Sequence, residues 1–426
     1  MTRVAFATVG CKVNQYETQV MRERLERAGF EIVSFPSFAD VYIINTCSVT
    51  AGADRKSIYM IKQALKKNSL AKVIVTGCLV EAQPQIMMQK FPQIRIIKNV
   101  DKLKIDRFLL QKSRLNGDFT IRSFSNHDRA FVKVEDGCNQ FCTYCRIPYV
   151  RGSKIRSRKP EEIIGEIKNL YNTGYREVVL TGVNLALYGR DFDSPFSLTN
   201  LLEKIIPSMG KDGRIRLSSL EPHLIPEGLL DLMATSPLIC PHLHLSFQSG
   251  DDEILKKMGR RYTTSWLKEL IDKFRQKVPE LGVTGDIIIG FPGERENNFQ
   301  NTLRFVKEVG FHRLHIFRFS PRPETPAFMM RPKVREGVKR ERSKALKELA
   351  LNLSQNFIYR FVGKALPVLI ESKNDPDTGY PVGYTHNYIR VLICGGSKSL
   401  DKLRGKISLI EIVRSERGYA LGSVLK

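Results

Sequence analysis

The sequence predicts an α/β protein in three parts: an N-terminal doubly wound parallel sheet, a central partial (βα)6 TIM-like barrel and a small C-terminal β-barrel. In roughly the first 120 residues, buried-strand patterns alternate with amphipathic helices, which is typical of a parallel sheet. Six further strand–helix units follow up to about residue 330, fewer than the eight of a complete barrel. From about residue 360, short strands are separated by turn residues. We expect domains at 1–122, 123–355 and 356–426.

The first part contains three strand patterns and two clear helices. The strands read "VAFATVGC", "VYIINTC" and "VIVTGC". The helix "ETQVMRERLERAGF" has Met21, Leu25 and Ala28 on one face and ends at Gly29. The polar stretch 112–129 is predicted to be a linker.

The second and third parts differ in their periodicity. The strands of the second part read "AFVKVED", "EVVLTG", "RIRLSSL", "HLHLSF", "GDIIIG" and "RLHIFRF". Its clearest helix, "KPEEIIGEIKNLYNTG", has Pro160 near its start and Gly174 at its end. A basic helix then leads to the third part, whose short strands predict a barrel of about the size of an OB fold.

The charge of the chain points to a polyanionic partner. The 426 residues carry a formal net charge of +24, so nucleic acid is the leading candidate, and a basic surface without a partner is the alternative. No stretch approaches the ~18 apolar residues of a membrane span, and the N-terminal apolar run is too short for a secretory signal. We therefore expect a cytoplasmic protein that contacts no membrane. Since that compartment is reducing, the eight cysteines are not expected to form disulfides.

Three cysteines are crowded into the stretch "EDGCNQFCTYCRIP". Cys138, Cys142 and Cys145 follow a predicted strand, in a loop where three thiols can turn toward one point. Iron–sulfur clusters are held by cysteine thiolates, and three thiolates leave one iron of a four-iron cluster open. The alternative is a zinc site completed by a distant residue, for which His127 is the nearest candidate.

A second set of three cysteines is spread through the first part. Cys11, Cys47 and Cys78 each end a predicted strand. The carboxyl ends of parallel strands lie along one edge of a sheet, so these thiols are expected to meet as a second three-ligand metal site. The alternative is separate burial as small apolar residues, which is also how we interpret Cys240 and Cys394.

These motifs resemble those of a known family. The spacing of Cys138, Cys142 and Cys145 matches the motif of the radical S-adenosylmethionine (SAM) superfamily, and "GCKVNQYET", "NTCSVT" and "TGC" resemble the methylthiotransferases within it. The resemblance covers nearly the whole chain and includes a C-terminal TRAM-type RNA-binding module. Within the family, "GCKVNQYE" is similar to the branch that modifies N6-threonylcarbamoyladenosine in tRNA.

The resemblance implies a cofactor set and a reaction. Cys138, Cys142 and Cys145 would hold a 4Fe-4S cluster that binds SAM, and Cys11, Cys47 and Cys78 would hold an auxiliary 4Fe-4S cluster that carries the sulfur. A SAM-derived radical would activate C2 of the modified adenine at position 37, beside the anticodon, and a methylthio group would be attached there. Acid–base catalysis by side chains cannot activate an aromatic C–H bond of this kind, so cofactors must supply the reactive species. The expected partners are the tRNA anticodon loop and an electron donor such as a flavodoxin or ferredoxin, and we expect a monomer.

Further candidate residues for the SAM pocket lie at the ends of central strands. They are Gly182 and Asn184 in "TGVNLALYG", Ser219 and Glu221 in "RLSSLEP", Gln248 in "LSFQSG", Gly285 and Gly290 in "GDIIIGFPGE", and Arg261 in "RRYT". Ordinary turns and surface arginines are the alternatives for the first and last of these motifs. His242 and His244 alternate on one strand, so their side chains face the same side; a metal site is one interpretation, but we expect them to face the barrel interior or a cavity. Glu324 stands where the family often has glycine, and a carboxylate near RNA phosphates would be mildly unfavourable.

Binding of RNA is also indicated by the third part. Tyr380, Tyr384 and Tyr388 recur near three basic or titratable side chains, and such rings can stack on unpaired bases, although some of them are expected in the core. The neighbours are His386, Arg390 and Lys398.

Three other functions remain open from the sequence. Two are enzymatic: methylthiolation of isopentenyladenosine in tRNA, or of a ribosomal protein. The basic chain argues against a basic protein substrate. The third is an iron–sulfur RNA-binding regulator, against which the motifs for a SAM pocket count.

Overall fold

The first part of the computed structural model is a parallel five-stranded sheet, as predicted. The structure describes residues 1–110, 119–125, 127–394 and 400–425, so part of the predicted linker and Lys398 lie outside the described residues. The strand order is β2-β1-β3-β4-β5. The strands are β1 Arg3–Thr8, β2 Glu31–Val33, β3 Val41–Thr46, β4 Lys72–Gly77 and β5 Ile94–Ile96.

Helices cover both faces of this sheet. They are α1 Lys12–Arg27, α2 Ala51–Lys67, α3 Cys78–Ala82, α4 Pro84–Lys90 and α5 Asp106–Leu109. One face packs in an apolar cluster with α2, α3 and α4, and the other packs with α1 and α5. The sheet is therefore doubly wound, which confirms this element of the predicted fold class.

The central part is an open parallel barrel built from two adjoining sheets, β10-β9-β6 and β11-β12-β13-β14. Since β10 and β11 are one strand interrupted at Ser218, six strands form its wall, as expected. A short ribbon, β7–β8, lies beside it. The strands are β6 Arg129–Lys133, β7 Glu135–Asp136, β8 Arg156–Ser157, β9 Glu177–Thr181, β10 Arg214–Leu217, β11 Ser219–Leu220, β12 His242–Gln248, β13 Gly282–Ile289 and β14 Arg313–Arg318.

Eight helices of the described residues surround this barrel or lead away from it. They are α6 Ile147–Arg151, α7 Pro160–Asn172, α8 Leu198–Ile205, α9 Leu229–Thr235, α10 Asp252–Lys257, α11 Thr264–Lys277, α12 Glu296–Val309 and α13 Glu336–Tyr359. Helix α7 begins at Pro160, as predicted from the sequence. The largest apolar cluster of the chain lies between these helices and the barrel wall. Among the described helices, none combines the length and the apolarity that crossing a membrane requires.

The third part is a closed five-stranded barrel in the order β15-β16-β17-β19-β18. Its strands are β15 Ala365–Asn374, β16 Pro381–Thr385, β17 Arg390–Cys394, β18 Ile407–Ser415 and β19 Ala420–Val424. The side chains inside it form a separate apolar cluster with the end of α13.

Two of the three tyrosines expected to stack on RNA lie instead at the contact between the central and C-terminal barrels. The Tyr388 ring lies 4.7 Å from the ring of His242, and the guanidinium of Arg216 lies 4.6 Å from the Tyr388 ring centre. Tyr384 stacks on Tyr388 and receives the guanidinium of Arg129 at 4.5 Å. These two rings are not available to stack on RNA bases, because the hairpin of β16 and β17 packs against the bottom of the central barrel. Only Tyr380, 45% exposed, stays open to solvent among the three.

Candidate functional site

The structure brings Cys11, Cys47 and Cys78 to the carboxyl edge of three neighbouring strands. Cys11 precedes α1, Cys47 follows β3, and Cys78 begins α3 directly after β4. Gly10, beside Cys11, lies so close to Cys47 that a Cβ on it would be 3.0 Å from the Cys47 Sγ. Burial, with the nearby Cys78 and Cys11 thiols, raises the pKa of Cys47 to about 12. Such a thiol becomes a thiolate at neutral pH only when a metal binds it.

The side chain of Asn14 holds two of these strand ends together. Its amide donates hydrogen bonds to the carbonyl oxygens of Val9 at 2.8 Å and Thr46 at 2.9 Å, which lie two residues before Cys11 and one before Cys47. Arg151 of the central part donates to the Asn14 Oδ1. The first three-cysteine site is therefore tied to the central barrel.

Cys138, Cys142 and Cys145 lie in the loop between β7 and α6. The loop is fixed by hydrogen bonds from the backbone N–H of Cys138 to the Gly152 carbonyl at 3.1 Å and of Thr143 to the Met258 carbonyl at 3.0 Å. The Cys145 N–H donates to the Cys142 carbonyl at 2.9 Å, which folds the last turn. Burial, followed by the Cys142 charge, raises the pKa of Cys145 to about 12. The Cys145 thiol is therefore also protonated at neutral pH unless a metal binds it.

A pocket beside this loop joins the three thiols to the ends of the central strands. Besides the three cysteines, its polar lining residues are Gln140, Tyr144, Asn184, Ser219, Glu221, Ser246, Gln248 and Arg260. Arg260 is buried, pairs with Glu221, and donates to the Tyr144 hydroxyl at 2.7 Å and to the Ser246 carbonyl at 2.8 Å. The Asn184 Oδ1 is buried and has no partner among the described residues. This unpaired oxygen suits a ligand that donates N–H or O–H hydrogen bonds.

One cavity of about 210 Å³ brings the two thiol sets together. Cys78 of the first set and Cys145 of the second both line it. Tyr144, Cys145, Ile147 and Gln248 line both this cavity and the pocket beside the cysteine loop, so they form the wall between the two spaces. The remaining lining residues are Ser48, Val49, Thr50, Arg146, Val150, Asp286, Ile288, Phe317, Arg318, Phe319 and Ser320.

An ionic network crosses the boundary between the first and central parts beside this cavity. Arg146, directly after Cys145, pairs with Glu324 through both carboxylate oxygens and donates to the hydroxyl of Ser48, directly after Cys47. Ser48 in turn donates to Asp54, which pairs with Arg322. Glu324 is therefore neutralised by Arg146 rather than presented to a phosphate.

Gln248 has a strained backbone at the wall between the two spaces. Its φ is +68°, in the left-handed region that a residue with a side chain rarely adopts, and it follows an irregularity in the pairing of β12 with β13. The irregularity turns the end of β12, so that Gln248 reaches both spaces.

Four of the eight further candidate residues line the pocket beside the cysteine loop, and a fifth directly precedes its lining residue Val183. Asn184, Ser219, Glu221 and Gln248 line the pocket. Gly182 makes room for Glu135, because a Cβ on Gly182 would be 2.6 Å from the Glu135 Oε2, and Glu135 accepts the Asn184 N–H at 2.9 Å.

The other three predicted residues do not line the pocket. Gly285 faces away from it, because strand residues alternate, and a Cβ there would be 2.6 Å from the Phe247 ring. Gly290 packs against the Lys339 side chain. Arg261 is exposed, whereas its neighbour Arg260 is buried at the pocket. The structure therefore does not bring these three residues to the pocket beside the cysteine loop.

His242 and His244 both point into the barrel, as expected. His242 Nε2 and His244 Nδ1 share the Thr284 hydroxyl, at 2.9 and 2.7 Å. The other ring nitrogen of His244 lies 3.2 Å from Asp286, which also contacts His315 at 3.1 Å. The Asp286 carboxylate is thus held at the cavity wall by two imidazoles.

Two protein families match separate parts of the chain. Residues 3–98 match the family described as Uncharacterized protein family UPF0004, and residues 132–306 match the Radical SAM superfamily. The threonylcarbamoyladenosine tRNA methylthiotransferase MtaB of Bacillus subtilis is 35% identical over 100% of this chain and 97% of its own length. The protein of that name from Thermotoga maritima is 40% identical over 87% of each chain. The tRNA-2-methylthio-N(6)-dimethylallyladenosine synthase of Oceanobacillus iheyensis is 33% identical over 98% of this chain and 83% of its own.

Solved structures share the fold at low identity. The radical S-adenosylmethionine methyltransferase TsrM of Kitasatospora setae superposes with a TM-score of 0.58 and 15% identity, over 88% of this chain and 80% of that one. The similarity in sequence to the curated relatives extends through all three parts of the chain. The chain therefore belongs to the threonylcarbamoyladenosine tRNA methylthiotransferase family of the radical SAM superfamily.

Proposed function

We propose that this protein methylthiolates C2 of N6-threonylcarbamoyladenosine at position 37 of tRNA, giving the 2-methylthio derivative. The observation that carries the proposal is the shared cavity: Cys78 and Cys145, from two separate three-thiol sets, line the same space. A reaction that needs both a radical source and a sulfur source requires two such sites facing one substrate atom.

The two sets of three cysteines fit two iron–sulfur clusters, and the pocket beside the cysteine loop fits SAM. Cys138, Cys142 and Cys145 would hold one cluster, and Cys11, Cys47 and Cys78 the other; each set leaves one position open. When bound, these groups supply one-electron cleavage of SAM and the sulfur and methyl groups that are inserted. All eight cysteines of the chain are free thiols, so both sets are available as ligands.

The residues around the thiols bind and orient the reactants. The free Oδ1 of Asn184 can accept a hydrogen bond from the SAM amino group, and Glu135 holds the Asn184 backbone in place. Arg260 pairs with Glu221 and fixes its position at the pocket. Gln248, at the wall between the two spaces, separates SAM from the adenine while leaving them adjacent. Glu324 neutralises the charge of Arg146, which directly follows Cys145.

The proposal assigns a role to each part of the chain. Residues 1–122 form the auxiliary-cluster domain, 123–355 the radical SAM core and 356–426 the TRAM domain that binds RNA. The partners are the tRNA anticodon loop, which offers an unstacked base, and a flavodoxin or ferredoxin as the electron donor. The protein acts in the cytoplasm as a monomer.

The alternative substrates have less support. Relatives named for dimethylallyladenosine match at lower identity than those named for threonylcarbamoyladenosine. A ribosomal protein is a poor partner for a chain of net charge +24, since ribosomal proteins are themselves basic. An RNA-binding regulator has no need of a pocket that combines three thiols with unpaired polar atoms.

The test is mass spectrometry of tRNA nucleosides from cells with and without the gene. The proposal expects the 2-methylthio derivative of threonylcarbamoyladenosine to disappear with the gene and to return with the wild-type chain. If that nucleoside persists in the deletion strain, the substrate assignment is wrong.

Cysteine variants test the two ligand sets separately. Reconstituted wild-type protein should hold about eight irons. Cys142→Ala and Cys78→Ala should each lose about half of them, and only Cys142→Ala should abolish SAM cleavage. Cys240→Ala removes a buried thiol that lines neither space and serves as the matched control. Retained SAM cleavage in Cys142→Ala would refute the ligand assignment.

A further inference from the structure

The cavity between the two thiol sets is lined by three charged side chains, and the protein itself neutralises two of them. Arg146 pairs with both carboxylate oxygens of Glu324, and Asp286 is held by two imidazoles. The third is Arg318, at the end of β14. Its guanidinium donates no hydrogen bond within the described part of the chain, so it is the charge of this cavity that is left for a ligand.

Glu336 is the acidic neighbour of Arg318, but it does not occupy the guanidinium. The nearest atoms, Nη1 of Arg318 and Oε2 of Glu336, are 3.6 Å apart, beyond the usual length of an N–H···O hydrogen bond. The other carboxylate oxygen of Glu336 accepts a hydrogen bond from Lys339 at 2.7 Å. Both side chains of the loose pair are exposed, Arg318 by 48% and Glu336 by 64%, so solvent screens their attraction.

A hydroxyl beside Arg318 adds a second donor. Ser320 follows two residues later and lines the same cavity. Its oxygen accepts hydrogen bonds from the Ala51 N–H at 3.0 Å and from Arg322 at 3.4 Å, which leaves its own proton to donate to a ligand. Ala51 is the first residue of α2, and Thr50, the residue before it, lines the cavity as well. The positive end of this helix therefore favours an anion at the same place.

We propose that Arg318, assisted by Ser320, binds the carboxylate of the threonyl group on the substrate adenine and thereby selects the substrate. The inference rests on the proposed function and names the residues that recognise its substrate. A threonylcarbamoyl group ends in a carboxylate, and a guanidinium matches a carboxylate with two parallel hydrogen bonds. A dimethylallyl group has no charge and no acceptor, so it would leave both donors without a partner.

The position of Arg318 suits a group that hangs from the reacting base. Cys78 and Cys145 line the same cavity as Arg318, so the adenine and its substituent share one space. Arg318 pairs with Ile289 of β13, whereas Asp286 lies three residues earlier on that strand, about 10 Å away along it. The substrate carboxylate therefore meets the cation at one end of the cavity and avoids the anion.

The test uses two anticodon stem-loop RNAs and the reconstituted holoenzyme. One RNA carries N6-threonylcarbamoyladenosine, and in the other the threonyl carboxylate is converted to its neutral methyl amide. We expect Arg318→Gln to lose about tenfold or more of kcat/KM on the first RNA, chiefly through a higher KM, because the contact lies away from C2. On the methyl amide, the wild type should be as slow as the variant. Arg318→Lys, which keeps the charge without the fork, should fall between the two on the first RNA.

Matched controls separate recognition from damage to the fold. Arg304 on α12 is exposed and lines neither space, so Arg304→Gln should leave the kinetics on both RNAs unchanged. Glu336→Gln removes the loose neighbour and should also leave them unchanged. All variants should match the wild type in iron content and in SAM cleavage without RNA.

Each contrary result has a distinct meaning. An equal loss on both RNAs in Arg318→Gln would show that Arg318 contacts an RNA phosphate or shapes the cavity. No loss on the first RNA would place the carboxylate elsewhere, and an equal loss in Glu336→Gln would make the pair structural; any of these overturns the proposal. If the wild type cleaves SAM but methylthiolates neither stem-loop nor full-length tRNA carrying threonylcarbamoyladenosine, it is the proposed function that fails.

Discussion

His312 is a buried histidine that the fold keeps neutral. Its ring stacks on Phe357 of α13 with the ring centres 4.6 Å apart. Burial, and then the charge of Arg313, lower the pKa of His312 to about 3. An unfolded histidine has a pKa near 6.5, so protons bind more tightly to the unfolded chain. The stability is fully present above pH 6.5 and is lost as the pH falls toward about 3.

The variant His312→Leu checks this pH dependence. The wild type should lose about 1 kcal/mol of unfolding free energy through His312 between pH 7.5 and 5.5. The variant should be less stable at pH 7.5, because it loses the ring stack, but should lose less stability on acidification. Thermal unfolding of both proteins over this pH range gives the comparison. Parallel pH curves for the two proteins would show that His312 titrates normally.

The sequence shows where the thiols lie relative to the strands but not the charged side chains beside them. Cysteines at strand ends can be read from pattern alone, and Cys78, one of these, lines the same cavity as Cys145. Arg146 and Glu324 are 178 positions apart in the chain, and nothing in either local pattern indicates that they pair. The same limit led to Arg261 being chosen in place of Arg260: adjacent arginines are equivalent in a sequence, and only the turn of the backbone decides which is buried.

Helix α1 joins the first part of the chain to the central barrel through Glu17. This carboxylate is buried and lies 3.0 Å from Arg151 and 2.9 Å from Lys133, and it also pairs with Lys102. Burial alone would raise the pKa of Glu17, but the three cations bring it well below its usual range. The residue belongs to the stretch "GCKVNQYE", so that stretch supplies an interdomain contact as well as a thiol.

Removing this one charge should loosen the contact between the parts. Glu17→Gln leaves three buried cations with one counter-charge fewer, a change that typically costs about 3–5 kcal/mol. Glu26→Gln, an exposed position on the same helix, should change stability by less than about 0.5 kcal/mol. Chemical unfolding of the two anaerobic proteins measures the difference. Equal stability of the two variants would mean that α1 is held by its apolar face alone.

The hydrophobic periodicity of the sequence predicts where the strands lie, but not the irregularities in how the strands pair. The six wall strands of the barrel follow from apolar runs separated by helices. The irregularity near Gln248 cannot be predicted from apolar runs, because it depends on how β12 pairs with β13. It is this irregularity that brings Gln248 to the wall between the two spaces.

The distribution of charge over the whole molecule favours binding of RNA. Its net charge is +24, although many of its buried arginines are already paired with carboxylates. The excess therefore lies largely with exposed lysines and arginines, which can contact phosphates and release counterions when tRNA binds. The affinity for tRNA should then fall steeply as the salt concentration rises. The affinity of the pocket beside the cysteine loop for a small ligand should change little.

A salt titration of the holoenzyme tests this. About four phosphate contacts to a single-stranded loop predict a roughly fifty-fold weaker Kd for tRNA between 50 and 200 mM KCl. The Kd for SAM, measured on the same preparation, should change less than about twofold, since its contacts lie in a pocket screened from bulk ions. Equal salt dependence for both ligands would mean that the ions act on the fold rather than on the RNA interface. A tRNA affinity that does not change with salt would mean that the excess positive charge lies away from the bound RNA.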